Sequence, residues 1–273
     1  MMEEMIIGKE RFSLKHTHVM GILNVTPDSF SDGGSWNQKD KALQHVEEMI
    51  QDGAAIVDVG GESTRPNYTK IADEEEIERV VPVIEAIKRN FDIPVSVDTY
   101  KSKVAREACK AGADLVNDIW GLKYDDEMAE IVKRYEKPVC IMHNRNNQDY
   151  ASFVDEWIQD LKESIQIAKQ AGIGDDKIIL DPGVGFAKAY EMNLLAMKHL
   201  EKLLLLDYPV LLGTSRKSVI GLALNLPVTE REEGTLATTV MAVMKGCQFV
   251  RVHDVKANVR AIKMTEAILQ AGE

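Results

Sequence analysis

Cysteine is scarce in this chain. The three residues, Cys109, Cys140 and Cys247, lie far apart and in no metal-ligand spacing. That argues against a disulfide framework and a tight structural zinc, and it fits a reducing compartment. Long apolar runs are also missing. Stretches such as Leu203 to Leu206 are far too short to span a bilayer, and no basic start leads into an apolar segment. A surplus of positive charge is lacking: 33 Lys and Arg against 44 Asp and Glu give a net charge of -11. This disfavours a broad nucleic-acid footprint but still permits a locally positive pocket. There is no low-complexity segment and no Gly/Ser/Pro linker. The expectation is a soluble cytoplasmic protein with one domain over residues 1–273.

What is present is alternation. Eight short apolar runs read as strands: Val19–Val25, Ala55–Val59, Pro94–Asp98, Asp114–Asp118, Pro138–Met142, Lys177–Asp181, Pro209–Gly213 and Gln248–His253. Amphipathic stretches lie between them, such as Trp157, Ile158, Leu161, Ile165 and Ala168, and a longer one over Glu191–Leu203. Runs that are apolar on both faces suit parallel strands covered by helices. Eight such units predict an α/β fold of the (β/α)8, or TIM-barrel, type. A doubly wound open sheet is the alternative. Its dinucleotide loop GxGxxG is absent after the first strand, and Gly183-Val184-Gly185 is weak evidence for it.

Polar groups collect where these strands end. In chain order they are Asn24, Gly60-Gly61-Glu62, Asp98-Thr99, Asn117-Asp118, Met142-His143-Asn144, Asp181, Gly213 to Ser218, and Arg251 to Asp254. In a barrel the C-terminal strand ends converge on one mouth. Taken singly, an Asp after a strand is as often a helix cap or turn acceptor, and Glu62, Asp118 and Asp254 fit that reading better than a ligand role. Asp98, Asn117 and Asp181 together can read the N–H-rich edge of a heterocycle, with Lys217 donating to its carbonyl. Met142 and Phe186 could cover a planar ring or simply be core. Ser215 to Ser218 open a helix whose amides suit an anion. Arg251 and His253, two apart on one strand, point the same way. The competing reading of Arg251 is a carboxylate partner that locks the barrel. A bound pyrophosphate could recruit magnesium, with Asn24 as an oxygen ligand. The Gly/Ser/Asp-rich loop after Asn24, containing Phe30 and Asp32, reads as a lid or a plain surface loop.

These segments resemble the dihydropteroate synthase family over essentially the whole length. The match rests on Gly21–Gly34, Gly60–Pro66, Val95–Thr99, Asn117-Asp118, Met142-His143-Asn144, Asp181–Phe186, Ser215–Ser218 and Arg251–Asp254. The resemblance implies a transferase that condenses 6-hydroxymethyl-7,8-dihydropterin pyrophosphate with 4-aminobenzoate, a homodimeric barrel, and a sulfonamide target. It implies that Asp98, Asn117, Met142, Asp181, Phe186 and Lys217 hold the pterin. It places Asn24, Arg251 and His253 on the pyrophosphate with Mg2+, and gives Asp98, Lys217 and Arg251 the catalytic roles. It further implies that Thr64, Arg65, Pro66, Phe186, Lys217 and Ser218 receive 4-aminobenzoate, and that Phe30, Asp32, Thr64 and Arg65 sit on mobile loops. Asn67-Tyr68-Thr69 depart from the family's usual glycine, which puts the shape of that loop in doubt. Two rivals remain: a methyltetrahydrofolate-binding methyltransferase barrel, which has no need of Ser215–Ser218 with Arg251 and His253, and a catalytically dead pterin-binding barrel.

Overall fold

The computed structural model describes residues 2–26, 35–63 and 70–272. An N-terminal hairpin, β1 (Glu4–Ile7) and β2 (Glu10–Ser13), precedes eight parallel strands. These are β3 (His18–Asn24), β4 (Ile56–Gly60), β5 (Val95–Asp98), β6 (Leu115–Asp118), β7 (Val139–Met142), β8 (Ile178–Asp181), β9 (Leu211–Leu212) and β10 (Phe249–Val252). They pair in the order β8-β7-β6-β5-β4-β3-β10-β9, and a parallel bridge between Leu180 and Val210 joins the two ends into a ring. The barrel expected from the sequence is therefore what the chain forms.

Helices α1 (Ser35–Asp52), α2 (Asp73–Asn90), α3 (Ser102–Ala111), α4 (Met128–Arg134) and α5 (Phe153–Gln170) cover the first half of the ring. The second half is covered by α6 (Tyr190–Lys198), α7 (Glu201–Leu204), α8 (Ser218–Leu224), α9 (Glu232–Lys245) and α10 (Val255–Leu269). Their inward stripes follow helical spacing. On α5, Phe153, Trp157, Leu161, Ile165 and Ala168 are buried, while the residues between them are mostly charged or polar. Gly112, at φ 109°, ends α3 in the left-handed region that suits glycine. No helix among the described residues is long and apolar enough to cross a membrane.

Three details differ from expectation. The stretch Glu191–Leu203 is two helices, not one. Lys245 on α9 donates to the Lys198 carbonyl (3.0 Å) and pairs with Glu201 (2.6 Å), which satisfies the end of α6 and holds the start of α7. β9 has only two residues, Leu211 and Leu212, rather than spanning Pro209–Gly213. Pro94, Pro138 and Pro209 stand just ahead of their strands rather than inside them. Their carbonyls still accept ladder bonds from Val57, Val116 and Leu180, the one contribution a proline can make.

The hairpin, which the strand pattern did not announce, decides which end of the barrel is available. Its alternation turns Met5 and Ile7 inward. With Phe12 they pack on Met20, Ile56, Leu115, Cys140, Ile179, Leu211 and Phe249, the inward residues at the strand starts. Burying each of these hairpin side chains is worth about 1.5–3 kcal/mol. The N-terminal end is thus an apolar plug, and the inward polar residues lie toward the C-terminal ends.

Candidate active site at the barrel mouth

Strand register builds the site. Asn24 lies opposite Gly60, Gly60 opposite Asp98, and Asp98 opposite Asn117. Met142 lies opposite Asp181 on the far side. Because side chains alternate between barrel interior and helix layer, these positions share the interior face. One level deeper, Asp58 is opposite Ile22 and Ser96.

Arg251 crosses this floor. Its Nε donates to Asp58 Oδ2 and its Nη2 to Asp98 Oδ2, both at 2.6 Å. Asn117 Nδ2 donates to the same Asp58 oxygen at 3.2 Å. The reading of Arg251 as a carboxylate partner is therefore correct for these two nitrogens. The second oxygens of both carboxylates, Asp58 Oδ1 and Asp98 Oδ1, are buried with no hydrogen-bond partner among the described residues. Buried acceptors are rarely left so, and each costs about 1–3 kcal/mol unless something donates to it. Burial pushes the Asp98 carboxyl up to about 7; Arg251 opposes this, and the neighbouring Asp58 adds to it. Burial also raises Asp181, against the pull of Lys217 and a 2.6 Å bond from the Gly183 amide.

Lys217 follows Arg216, whose φ of 57° turns the chain sharply before α8. Its Nζ donates to the Val184 carbonyl at 2.5 Å and stands 4.8 Å from the centre of the Phe186 ring. Burial lowers its pKa to about 8, with Asp181 pulling the other way. Phe186 packs beside a small cluster of Tyr100, Ile119 and Met142. The arrangement sets three carboxylates (Asp58, Asp98, Asp181) against two cations (Arg251, Lys217), next to an apolar wall. It can receive a flat, N–H-rich ring and oppose positive charge that grows on it.

The remaining expectations divide. His253 lies beyond β10, where its Nδ1 meets Ser215 Oγ at 2.9 Å. Ser218 is exposed at the first turn of α8. Asn24 is half-buried at the end of β3. Glu62, Asp118 and Asp254 take the supporting roles expected of them. Glu62 binds Tyr100 Oη (2.6 Å), Lys101 and the Ile71 amide, and Asp118 accepts from the Trp120 and Leu122 amides. Asp254 caps α10 through the Ala257 amide. Phe30, Asp32, Thr64, Arg65 and Pro66, with Asn67-Tyr68-Thr69, lie outside the described residues. Among the described residues no group of three or more His, Cys, Asp or Glu is disposed to hold a metal.

Sequence reasoning missed Asp58, although a lone charge inside Ile56-Val57-Asp58-Val59-Gly60 was a usable signal. It also missed Tyr100 and Ile119 in the apolar wall. His143, one of the strand-end groups, is buried against Asp160 and Lys188.

Comparison with known proteins agrees with this geometry. The family described as "Pterin binding enzyme" matches residues 20–253. A dihydropteroate synthase of Clostridium beijerinckii is 60% identical over 97% of this chain and 100% of its own length. One of Bacillus subtilis is 54% identical over 94% of this chain and 90% of its own. Among solved structures, a Clostridium difficile dihydropteroate synthase determined in the presence of pteroic acid superposes with a TM-score of 0.92. It is 50% identical, over 94% of this chain and 98% of that one. A Xanthomonas albilineans dihydropteroate synthase with 4-aminobenzoic acid gives a TM-score of 0.94 at 38% identity, with both chains fully covered. With its strand-end residues and its barrel both matched in this way, the chain belongs to the pterin-binding enzyme family and, within it, to the dihydropteroate synthases.

Proposed function

We propose that the mouth binds 6-hydroxymethyl-7,8-dihydropterin pyrophosphate in its floor and condenses it with 4-aminobenzoate, releasing pyrophosphate. The observation that carries this reading is the pair of buried oxygens on Asp58 and Asp98 that have no hydrogen-bond partner among the described residues. A pterin ring offers N–H donors to such oxygens and to Asp181, while Asn117 and Lys217 supply donors for its nitrogen and carbonyl acceptors. Met142 and Phe186 then line its faces.

The mechanism follows from the charges. Cleavage of the methylene–pyrophosphate bond leaves positive charge on the pterin and negative charge on the leaving group. Asp98 opposes the first. Arg251, held between Asp58 and Asp98, stands at the seam of the two and steadies the second with His253. Asn24 is a hard oxygen donor suited to magnesium, but the described residues offer no three-donor cluster, so the remaining ligands would come from the pyrophosphate and water. Magnesium bound there supplies further stabilisation of the departing charge. The arylamine attacks as a neutral amine, so no strong base is required. Its carboxylate goes to the start of α8 near Ser218, with Lys217 and Phe186 alongside; Thr64, Arg65 and Pro66, assigned to the same substrate, lie outside the described residues.

The whole chain acts as one cytoplasmic catalytic domain, and two copies form a homodimer. Pyrophosphate release measured with pterin pyrophosphate, with and without 4-aminobenzoate, tests the reaction. Formation of dihydropteroate in step with pyrophosphate supports it. Methyl transfer from a methylated folate, or no turnover by a protein that binds pterin, would favour one of the rivals.

A further inference from the structure

Lys188 is buried beneath the turn that follows β8, and its Nζ meets three groups: the Gly183 carbonyl (2.9 Å), the Phe186 carbonyl (3.0 Å) and His143 Nδ1 (2.7 Å). On the other side of the ring, His143 Nε2 lies 2.9 Å from Asp160 Oδ2. Asp160 also takes Arg145, through Nε at 2.5 Å and Nη2 at 3.1 Å. Arg145 is shared with Glu156 and lies over the Tyr150 ring.

Hydrogen counting fixes the charge. Burial raises the Asp160 pKa, but the bonds from His143 and Arg145 outweigh it and bring the carboxyl down to about 2, so it is an anion and an obligate acceptor. His143 Nε2 therefore carries a hydrogen. The two carbonyls can only accept, which takes two hydrogens from Lys188 Nζ. One line remains, between Nζ and Nδ1. A neutral amine has two hydrogens for three acceptors, so if both groups were neutral one of these contacts, at 2.7, 2.9 or 3.0 Å, would set lone pair against lone pair and be no hydrogen bond. A hydrogen must lie between them, so the pair is cationic whichever partner holds it. Burial draws His143 to about 4 and Lys188 well below its ordinary value, and the Asp160 anion is the compensating partner.

The turn held by this pair serves the mouth. Its Val184 carbonyl receives Lys217, and its Phe186 ring lies beside the Lys217 ammonium. A Cβ at Gly183, where φ is 68°, would fall 2.0 Å from the His143 carbonyl oxygen, so the turn is packed directly on the same strand end. Lys188 and Lys217 thus hold carbonyls of one turn, Lys188 those of Gly183 and Phe186 and Lys217 that of Val184, and the Lys217 charge acts against the Lys188 ammonium. We infer that Lys188 and His143 hold one buried proton between them, and that this cation is a positioning group for Lys217: it fixes the 183–186 turn that carries the Val184 acceptor and the Phe186 ring of Lys217. The role rests on the reading of Lys217 as a pterin-binding donor. The other charges facing Lys217 are Asp181 from β8, Asp98 from β5 and Arg251 from β10.

The test has two arms. In the parent protein, nitrogen NMR of the His143 ring and the Lys188 side chain should show Nε2 protonated and one excess proton retained by the pair throughout neutral pH. Two neutral bases at pH 7 would overturn the proposal. In variants, the alkaline limb of kcat/KM for the pterin substrate should move up by about half a pH unit or more in Lys188→Met, because a like charge is gone. His143→Gln keeps the lysine and offers it an amide oxygen; it should melt earlier but leave that limb in place. A folded Lys188→Met with an unmoved limb, or equal shifts in both variants, also overturns it. If Lys188→Met does not fold, the NMR arm decides. Full pterin affinity in Lys217→Met would instead remove the reading of Lys217 and leave the NMR result standing.

Discussion

Arg251 Nη2 donates to Asp98 Oδ2 at 2.6 Å, so the group assigned to the pyrophosphate and the group assigned to the pterin form one ion-paired unit. A dissociative reaction separates charge across this pair. As the leaving group gains negative charge, Arg251 can attend to it, and Asp98 is then freer to oppose the pterin cation. Asp58, below both, keeps Arg251 from leaving the floor.

Changing Asp98→Asn keeps the shape and one acceptor but removes the charge. The fold should survive, since Arg251 retains Asp58. Losing a charged partner to a developing charge costs on the order of 3 kcal/mol, or about a hundredfold in rate. Single-turnover cleavage should fall more than pterin affinity does. A variant with a normal melt and a parental cleavage rate would make Asp98 a binding residue only.

The ring of strands was legible because parallel strands buried on both faces read as apolar runs, and their polar ends stand out against them. The partners of Arg251 were not legible. Asp58 and Asp98 lie 193 and 153 residues away in the chain, and only closure of the barrel brings them within reach. Lys188 was hidden for the same reason: a lysine in a loop reads as solvated until His143 and two carbonyls are seen around it. The break in Glu191–Leu203 was masked because Ala196, Leu200 and Leu203 keep helical spacing across it, and the group that holds both ends, Lys245, is on another helix.

The hairpin plug gives a control. Phe12→Ala removes a side chain packed on Phe249 and His18 at the end of the barrel away from the mouth. It should cost about 3–5 kcal/mol of stability. Chemical denaturation should register the loss, while KM for both substrates stays near the parent value at a temperature where the variant is folded. A large rise in KM with little loss of stability would show that the hairpin shapes the mouth.

Magnesium is the next variable. With Asn24 as a protein ligand and pyrophosphate as the main donor, the ion should bind weakly to the protein alone and well with substrate. A chelator should abolish most product formation, and added magnesium should restore it. Calorimetry should find magnesium binding strengthened by pyrophosphate, and Asn24→Ala should weaken that coupling. Full turnover without a divalent ion removes the metal from the reaction.

The charges predict a narrow pH optimum. Asp98, pushed up to about 7, must be ionised to oppose the pterin cation, and Lys217, lowered to about 8, donates best while protonated. The kcat/KM profile for the pterin substrate should therefore rise through the first value and fall through the second. The same shift has a stability consequence of definite sign. Asp98 binds its proton more tightly folded than unfolded, so its contribution favours folding below its ordinary carboxyl value and is lost as pH rises toward about 7. Asp58 is the lever. Asp58→Asn removes the like charge beside Asp98 and leaves Asp98 as the carboxylate to which Arg251 donates among the described residues, and both changes favour the Asp98 anion. The acid limb should move to lower pH, so the fraction of peak activity retained at pH 6 should rise even though peak activity itself falls. The alkaline limb should stay put, because Asp58 is not among the charges that act on Lys217. An acid limb that stays fixed or moves up in a folded Asp58→Asn protein would assign that limb to a group other than Asp98.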